Sequence, residues 1–151
     1  MKQWNNVDEA LEFAIANEEE AHKFYTDLAA KAEKPWMAAV FEGFAKEELG
    51  HKAKLEGVKK GNLLKPSEKK IADLKIGDYL VEVDPSGDLD YQQALIVAMK
   101  KEKAAFKLYS DIAAAMTDPG LRETFQALAQ EEAKHKLRFE VEYDDYVLTD
   151  N

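Results

Sequence analysis

The stretch Glu47-Glu-Leu-Gly-His51-Lys52 returns 84 positions later as Glu131-Glu-Ala-Lys-His135-Lys136. The same offset aligns further residues without a gap: Ala10 with Ala94, Glu18 with Glu102, Tyr25 with Tyr109, Pro35 with Pro119 and Phe41 with Phe125. A period of this length in only two copies does not fit a solenoid, whose repeats are shorter and more numerous. The sequence therefore predicts one duplicated unit, two copies of which complete a single core.

Each copy contains two helical patterns, in which apolar residues recur at spacings of three and four positions. In the first copy the stripes run from Val7 to Leu28 and from Met37 to Val58. Together the patterns predict helices at about 7–33, 35–60, 90–116 and 119–145. Residues suited to helix ends agree with these bounds: Asn6 and Glu9 as a capping box, Pro35 and Pro119 at first helical positions, Asp118 as a cap and Gly61 as a stop.

The connections between the helices predict the topology. Within each copy the helices are joined by one or two residues, so they must be antiparallel neighbours. Residues 62–89 instead form a crossover that reaches roughly 90 Å when extended, against about 39 Å for the second helix, so it can return the chain to its starting end. The prediction is an all-α, single-domain chain over residues 1–151. Two antiparallel helical hairpins, at about 7–60 and 90–145, form a four-helix bundle in the ferritin-like arrangement.

The composition agrees with a helical bundle and excludes several other classes of protein. The 151 residues include no cysteine, so disulfide scaffolds, zinc ribbons and thiolate iron sites are excluded. The net charge of −9 argues against binding to nucleic acid or to an anionic membrane surface. No segment is long and apolar enough to cross a bilayer, and residues 1–20 lack the features of a signal peptide. We therefore expect a cytoplasmic protein.

Six residues on the inward stripes are polar rather than apolar: Glu18, Glu48, His51, Glu102, Glu132 and His135. Similar distances from the two hairpin turns place them at one level of the bundle. Each histidine follows a glutamate by three positions on the same helix face, so the two side chains can bind one ion. Four buried carboxylates would repel one another, whereas two divalent cations would balance their charge. Oxygen and nitrogen ligands suit iron, manganese or zinc.

These motifs resemble the di-iron domain of the rubrerythrin family. The resemblance covers residues 7–60 and 90–145 and rests on four segments: Glu18-Glu-Glu-Ala-His-Lys-Phe-Tyr25, Glu48-Leu-Gly-His51, Glu102-Lys-Ala-Ala-Phe-Lys-Leu-Tyr109 and Glu132-Ala-Lys-His135. It implies a site for two iron ions, which manganese or zinc can replace in a purified sample. It also implies the role of each ligand: Glu18 and Glu102 terminal, Glu48 and Glu132 bridging, and His51 and His135 on one iron each.

The sequence departs from the family pattern in two respects. Rubrerythrins usually carry a further glutamate one turn after the third-helix ligand, and Ala105 stands at that position. They also commonly carry a rubredoxin-like domain with four cysteines, whereas this chain has no cysteine. Electrons are therefore expected from a separate donor protein, such as a rubredoxin.

The activity that the resemblance implies is that of an oxidoreductase acting against oxidative stress, which reduces hydrogen peroxide or dioxygen. Two alternatives remain open at this point. One is an iron-handling protein of ferritin type, which oxidises Fe²⁺. The other is an oxygenase acting on an organic substrate, and the fold does not by itself decide among the three activities. A homodimer is expected.

Two tyrosines accompany the glutamates of the first and third helices. Tyr25 and Tyr109 lie seven positions after Glu18 and Glu102, on the same helix faces. They either hydrogen-bond a ligand carboxylate or pack in the core, and the sequence supports both interpretations equally.

Several other residues near the motifs are interpreted as structural. His22 is interpreted as a rim residue rather than a ligand, because Phe106 is its repeat partner. Glu47 and Glu131 are interpreted as surface residues that point away from the site. Residues 84–90 are expected to form a turn and the cap of the third helix rather than a calcium loop. The stretch Ile76–Val83 is expected to be extended, covering the bundle or contacting a second subunit.

Overall fold

The computed structural model describes residues 7–61, 79–81 and 89–150, apart from the side chains of Val7, Thr149 and Asp150. Within these ranges the chain forms four helices and no strand: α1 at Val7–Lys31, α2 at Pro35–Lys60, α3 at Tyr91–Ala115 and α4 at Pro119–Asp150. The predicted all-α class and the four helices are confirmed. The predicted cap at Asn6, the turn at 84–88 and most of the stretch Ile76–Val83 lie outside the described residues.

The helix starts follow from local sequence. Pro35 begins α2 without a side-chain cap, since its ring supplies the helical φ angle and it has no N–H to satisfy. Asp90 caps α3 through a reciprocal box, in which Gln93 N donates to Asp90 Oδ1 at 2.7 Å and Asp90 N donates to Gln93 Oε1 at 3.0 Å. Asp118 caps α4, where its Oδ2 accepts from Leu121 N at 2.9 Å.

Two helix ends differ from expectation. Gly61 follows α2 as predicted, but its φ of −73° is right-handed, so the position does not require a glycine. Helix α4 continues to residue 150 instead of the predicted 145. Tertiary contacts explain the extra length, because Tyr91 OH donates to Glu142 Oε2 at 2.6 Å and the Tyr146 ring packs edge-on against Tyr91 at 4.9 Å between centroids.

The helices pair as two hairpins, α1 with α2 and α3 with α4, which meet mainly along α1 and α3. Lys31 Nζ donates to Leu89 O at 2.6 Å, which places the end of α1 beside the start of α3. Because α2 also begins at that end, α2 and α3 run parallel, as the long crossover predicts. No helix in the described part of the chain is apolar over a length that would cross a membrane.

Two apolar clusters fill the bundle, one toward each end. One includes Leu11, Leu55, Ile112 and Phe125, and the other includes Tyr25, Leu28, Phe41, Leu95 and Phe139. On each helix, the polar residues of the inward stripe fall between the positions that belong to the two clusters. The fold therefore holds a polar layer between two tightly packed apolar regions, where side chains have little freedom to move.

Candidate metal centre

All six polar residues of the inward stripes come together in this layer. The six residues are Glu18, Glu48, His51, Glu102, Glu132 and His135, and each is at most 4% exposed. Helices α1 and α3 contribute one glutamate each, whereas α2 and α4 contribute a glutamate and a histidine each. Carboxylates at this depth are costly to the fold unless other groups balance their charge.

The ligand atoms of the six residues fall into two overlapping groups of four. Within each group the atoms lie within 4.8 Å of one another. The first group is Glu18, Glu48, His51 and Glu132, and the second is Glu48, Glu102, Glu132 and His135. Each group could hold a metal ion. Because Glu48 and Glu132 belong to both groups, these two side chains are placed to contact two ions at once.

The state of the buried polar atoms fits metal binding. One buried atom in each of the six residues has no hydrogen-bond partner within the described ranges: Glu18 Oε2, Glu48 Oε1, His51 Nδ1, Glu102 Oε2, Glu132 Oε1 and His135 Nδ1. Some of these atoms lie close together without a hydrogen bond, since His135 Nδ1 is 3.0 Å from Glu48 Oε1. Buried polar atoms in proteins are nearly always satisfied. Six buried atoms that can bind metal and have no hydrogen-bond partner converge from four helices, and this arrangement fits a pair of cations.

The outer nitrogen of each histidine contacts a glutamate from the other hairpin. His135 Nε2 lies 2.7 Å from Glu47 Oε2, and His51 Nε2 contacts Glu131 Oε2 in the same way. The prediction that Glu47 and Glu131 point away from the site was wrong. Their side chains are about half exposed, at 56% and 47%, yet their carboxylates reach the histidines across the α2–α4 side of the bundle. A carboxylate there fixes the ring orientation and leaves Nδ1 free to bind metal.

The two tyrosines hydrogen-bond carboxylates of the opposite hairpin. Tyr109 OH donates to Glu18 Oε1 at 2.6 Å, and Tyr25 OH donates to Glu102 Oε1. Of the two interpretations offered by the sequence, the structure therefore supports the hydrogen bond. Burial raises the pKa of both phenols well above the ordinary value, and the neighbouring carboxylates raise it further. Both phenols therefore remain protonated and keep donating at neutral pH.

The raised pKa values of several groups show that the layer retains protons when it holds no cation. Burial raises the pKa of Glu48 well above its ordinary value, and the charge of Glu132 adds to this effect. Burial and the charge of Glu102 act on the pKa of Glu132 in the same direction. Burial lowers the pKa of His51, but the surrounding glutamates, Glu18 above all, outweigh this effect and raise the pKa to about 9. Contacts with Glu102 and Glu48 likewise raise the pKa of His135 to about 10.

His22 lies outside both groups of ligand atoms. Its Nδ1 lies 2.9 Å from Ala45 O, so the side chain links α1 to the backbone of α2. The half-buried position agrees with the predicted rim location.

Comparison with known proteins identifies the family. The sequence model described as Rubrerythrin matches residues 9–143. The chain belongs to the rubrerythrin family. A hypothetical protein from Pyrococcus furiosus shares the fold, with a TM-score of 0.70 and 22% sequence identity over 90% of this chain and 87% of that chain. Among curated proteins, no relative matches.

A cavity reaches the centre of this rubrerythrin domain from the side opposite the histidines. Its volume is about 240 Å³, and its lining includes all four glutamates of the metal centre but neither histidine. Ala21 and Ala105 also line it. The space beside Glu102 is therefore open where most rubrerythrins carry the additional glutamate.

Three residues of the crossover form one wall of the cavity: Tyr79, Leu80 and Val81. Tyr79 is buried, and its hydroxyl donates to Asp111 Oδ2 at 2.8 Å. Lys107 Nζ lies over the same ring, 5.3 Å from its centroid. Of the two expectations for the stretch Ile76–Val83, these three residues agree with covering the bundle, although no pattern in the crossover predicted which part of the bundle they contact.

Proposed function

We propose that this chain is a non-haem di-iron oxidoreductase that reduces hydrogen peroxide or dioxygen with electrons from an external donor. The observation that carries the proposal is the pair of overlapping ligand groups, which share Glu48 and Glu132. Four carboxylates balance the charge of two divalent ions, and the mixed oxygen and nitrogen donors suit iron. Location in the cytoplasm and a role against oxidative stress belong to the same proposal.

The residues around the ligands hold them in place for this chemistry. Two ferrous ions bound by the six residues would supply the two electrons that convert one hydrogen peroxide and two protons into two waters. Tyr25 and Tyr109 hold the carboxylates of Glu102 and Glu18 through their hydroxyl groups. Partners of this kind orient metal ligands and are commonly as important to a site as the ligands themselves.

The cavity supports a small substrate. Its volume is about 240 Å³. Sites for drug-sized organic ligands are larger, about 300–1,000 Å³. The cavity ends at the four glutamates, so a small oxidant that enters it meets the carboxylate side of the site. This supports reduction of peroxide or dioxygen over oxygenation of a large organic substrate.

The decisive experiment compares two reactions of the iron-loaded protein. In the first, peroxide consumption is measured with a reduced donor. In the second, the oxidation of excess Fe²⁺ by dioxygen is measured without a donor. We expect faster turnover in the first reaction, and Glu102→Ala should abolish it because a ligand is lost. Repeated turnover of Fe²⁺ with little peroxide reduction would instead identify a ferritin-type protein for iron handling.

A further inference from the structure

The outer side of α3 carries a concentration of positive charge in an acidic protein. Residues 100–107 read Lys-Lys-Glu-Lys-Ala-Ala-Phe-Lys, and the single glutamate is the buried Glu102. Lys100, Lys103 and Lys107 share one side of the helix and are exposed. We call this surface, together with the neighbouring Phe106 and Leu80, the lysine face.

The duplicated sequence provides an internal comparison for this surface. The equivalent residues of α1, 16–23, read Ala-Asn-Glu-Glu-Glu-Ala-His-Lys. Three glutamates and one lysine on α1 thus correspond to four lysines and one glutamate on α3. The two helices have the same role in the scaffold, so the fold does not require the difference in charge. With a net charge of −9 for the whole chain, the lysine face is a local exception.

The lysine face also has an apolar centre. Phe106 is 39% exposed and Leu80 is 62% exposed. They line an open groove of about 630 Å³ together with Val81 and Ala104, and its polar lining consists of three lysines, Ser110 and Asp111. An apolar centre with a charged rim is the usual arrangement of a protein–protein contact surface. Lys107 pairs with Asp111 at 2.7 Å, whereas Lys100 and Lys103 form no ion pair within the described ranges.

The lysine face lies directly outside the candidate metal centre. The groove shares Leu80, Val81 and Ala104 with the cavity that ends at the four glutamates. Glu102 points inward from the same helix turn that presents Lys103 outward. A partner seated on this surface would be separated from the ligands by little more than the width of one helix, about 10 Å.

We propose that the lysine face is the docking surface for an acidic electron-transfer protein, which reduces the metal centre through α3. The inference rests on the proposed function, because it names the donor side of the same site. Charge complementarity selects the partner, since a negative surface is attracted to Lys100 and Lys103 and steered onto the groove. A second copy of this chain fits less well, because a two-fold contact would place these lysines opposite themselves.

The test uses a rubredoxin of net negative charge as the probe. Reduction of the oxidised, iron-loaded protein by the reduced rubredoxin is followed by stopped-flow absorbance at low salt. The double variant K100E/K103E should be reduced at least about tenfold more slowly, because electrostatic steering of this kind accelerates association by about 10–10³-fold. Added salt should slow the wild type, because it screens the attraction, and should not slow the variant, whose contact with an acidic partner is repulsive.

Two controls separate docking from other effects. The variant K23E/K54E changes the net charge equally at exposed lysines of α1 and α2, and it should be reduced much faster than K100E/K103E. A small neutral hydroquinone should reduce all three proteins at the same rate. The proposal would be overturned if the rate of reduction by rubredoxin fell equally in both double variants. It would also be overturned if the wild-type centre accepted electrons from hydroquinone but not from rubredoxin.

Failure of the proposed function would be recognised separately. If neither reductant reduces the centre, the redox role is wrong, and calorimetric binding of oxidised rubredoxin then tests the surface alone. Binding that is lost in K100E/K103E and kept in K23E/K54E would support docking, whereas absence of binding to the wild type would overturn it. Sedimentation analysis tests whether a second copy of this chain binds the lysine face instead. A wild-type dimer that dissociates in K100E/K103E would assign the surface to self-association and overturn the proposal.

Discussion

Raising the pH from about 6 to about 9 should destabilise the metal-free protein by at least about 3 kcal/mol. In the metal-free protein the pKa of His51 is raised to about 9 and that of His135 to about 10. The pKa of an exposed histidine in the unfolded chain is about 6.5. The raised values stabilise the fold fully below the unfolded pKa, and this stabilisation is lost as the pH rises through the folded pKa.

The magnitude follows from the folded and unfolded pKa values of a single residue. For His51 the difference between about 9 and about 6.5 corresponds to about 3 kcal/mol, at 1.36 kcal/mol for each pH unit, and most of it is lost by about pH 9. Burial raises the pKa of Glu48, Glu102 and Glu132, so these groups also favour the folded state at low pH. Every group in the layer with a shifted pKa thus acts in the same direction.

The assay is urea unfolding of the metal-free protein, followed by far-ultraviolet circular dichroism at the two pH values. A loss of about 3 kcal/mol should lower the urea midpoint by about 1–3 M, given the usual dependence of stability on urea. The zinc-loaded protein is the matched control, because metal replaces the protons and all other groups are unchanged. The free energy of unfolding of the zinc-loaded protein should not fall between about pH 6 and about pH 9. The difference in stability between the zinc-loaded and the metal-free protein should therefore increase with pH. A metal-free protein that is as stable at the higher pH as at the lower one would refute the reasoning, and so would a parallel loss in the zinc-loaded protein.

Three further outcomes are expected. Elemental analysis of metal-loaded protein should give two ions per chain, and a value of one would contradict the paired ligand groups. Ala105→Glu should raise the rate of peroxide reduction, because the new carboxylate enters the cavity beside the centre; Ala21→Glu tests the same effect from α1, and unchanged rates in both would show that the six residues suffice. Glu47→Ala should lower metal affinity by about 10–100-fold, since His135 loses the partner of its outer nitrogen, while Glu42→Ala on the same helix should leave the affinity unchanged.

The inward positions of the bundle could be predicted because they follow helical periodicity. A buried glutamate such as Glu48 stands on an otherwise apolar stripe, and the repeat places Glu132 on an equivalent stripe. Periodicity together with hairpin length therefore located the polar layer. The same reasoning could not extend α4 beyond 145, because the contacts that hold its last turns come from Tyr91 on another helix.

The roles of Glu47 and Glu131 were missed for a related physical reason. Helical periodicity indicates which face of a helix a residue occupies. It does not indicate which residue of a neighbouring helix a long side chain contacts. Both glutamates start on an exposed face and still contact a histidine of the other hairpin. The signal that was present in the sequence is the repeat itself, since Glu47 aligns with Glu131 at the 84-residue offset.

The contacts around the centre are reciprocal between the two hairpins. Tyr25 of the first hairpin bonds Glu102 of the second, and Tyr109 of the second bonds Glu18 of the first. In the same way, Glu47 of the first hairpin contacts His135 of the second, and Glu131 of the second contacts His51 of the first. Such i-to-j and j-to-i pairing is what rotational symmetry produces in a homodimer. The two hairpins therefore depend on each other at the centre, whereas their outer surfaces are free to differ, as the glutamates of α1 and the lysines of α3 show.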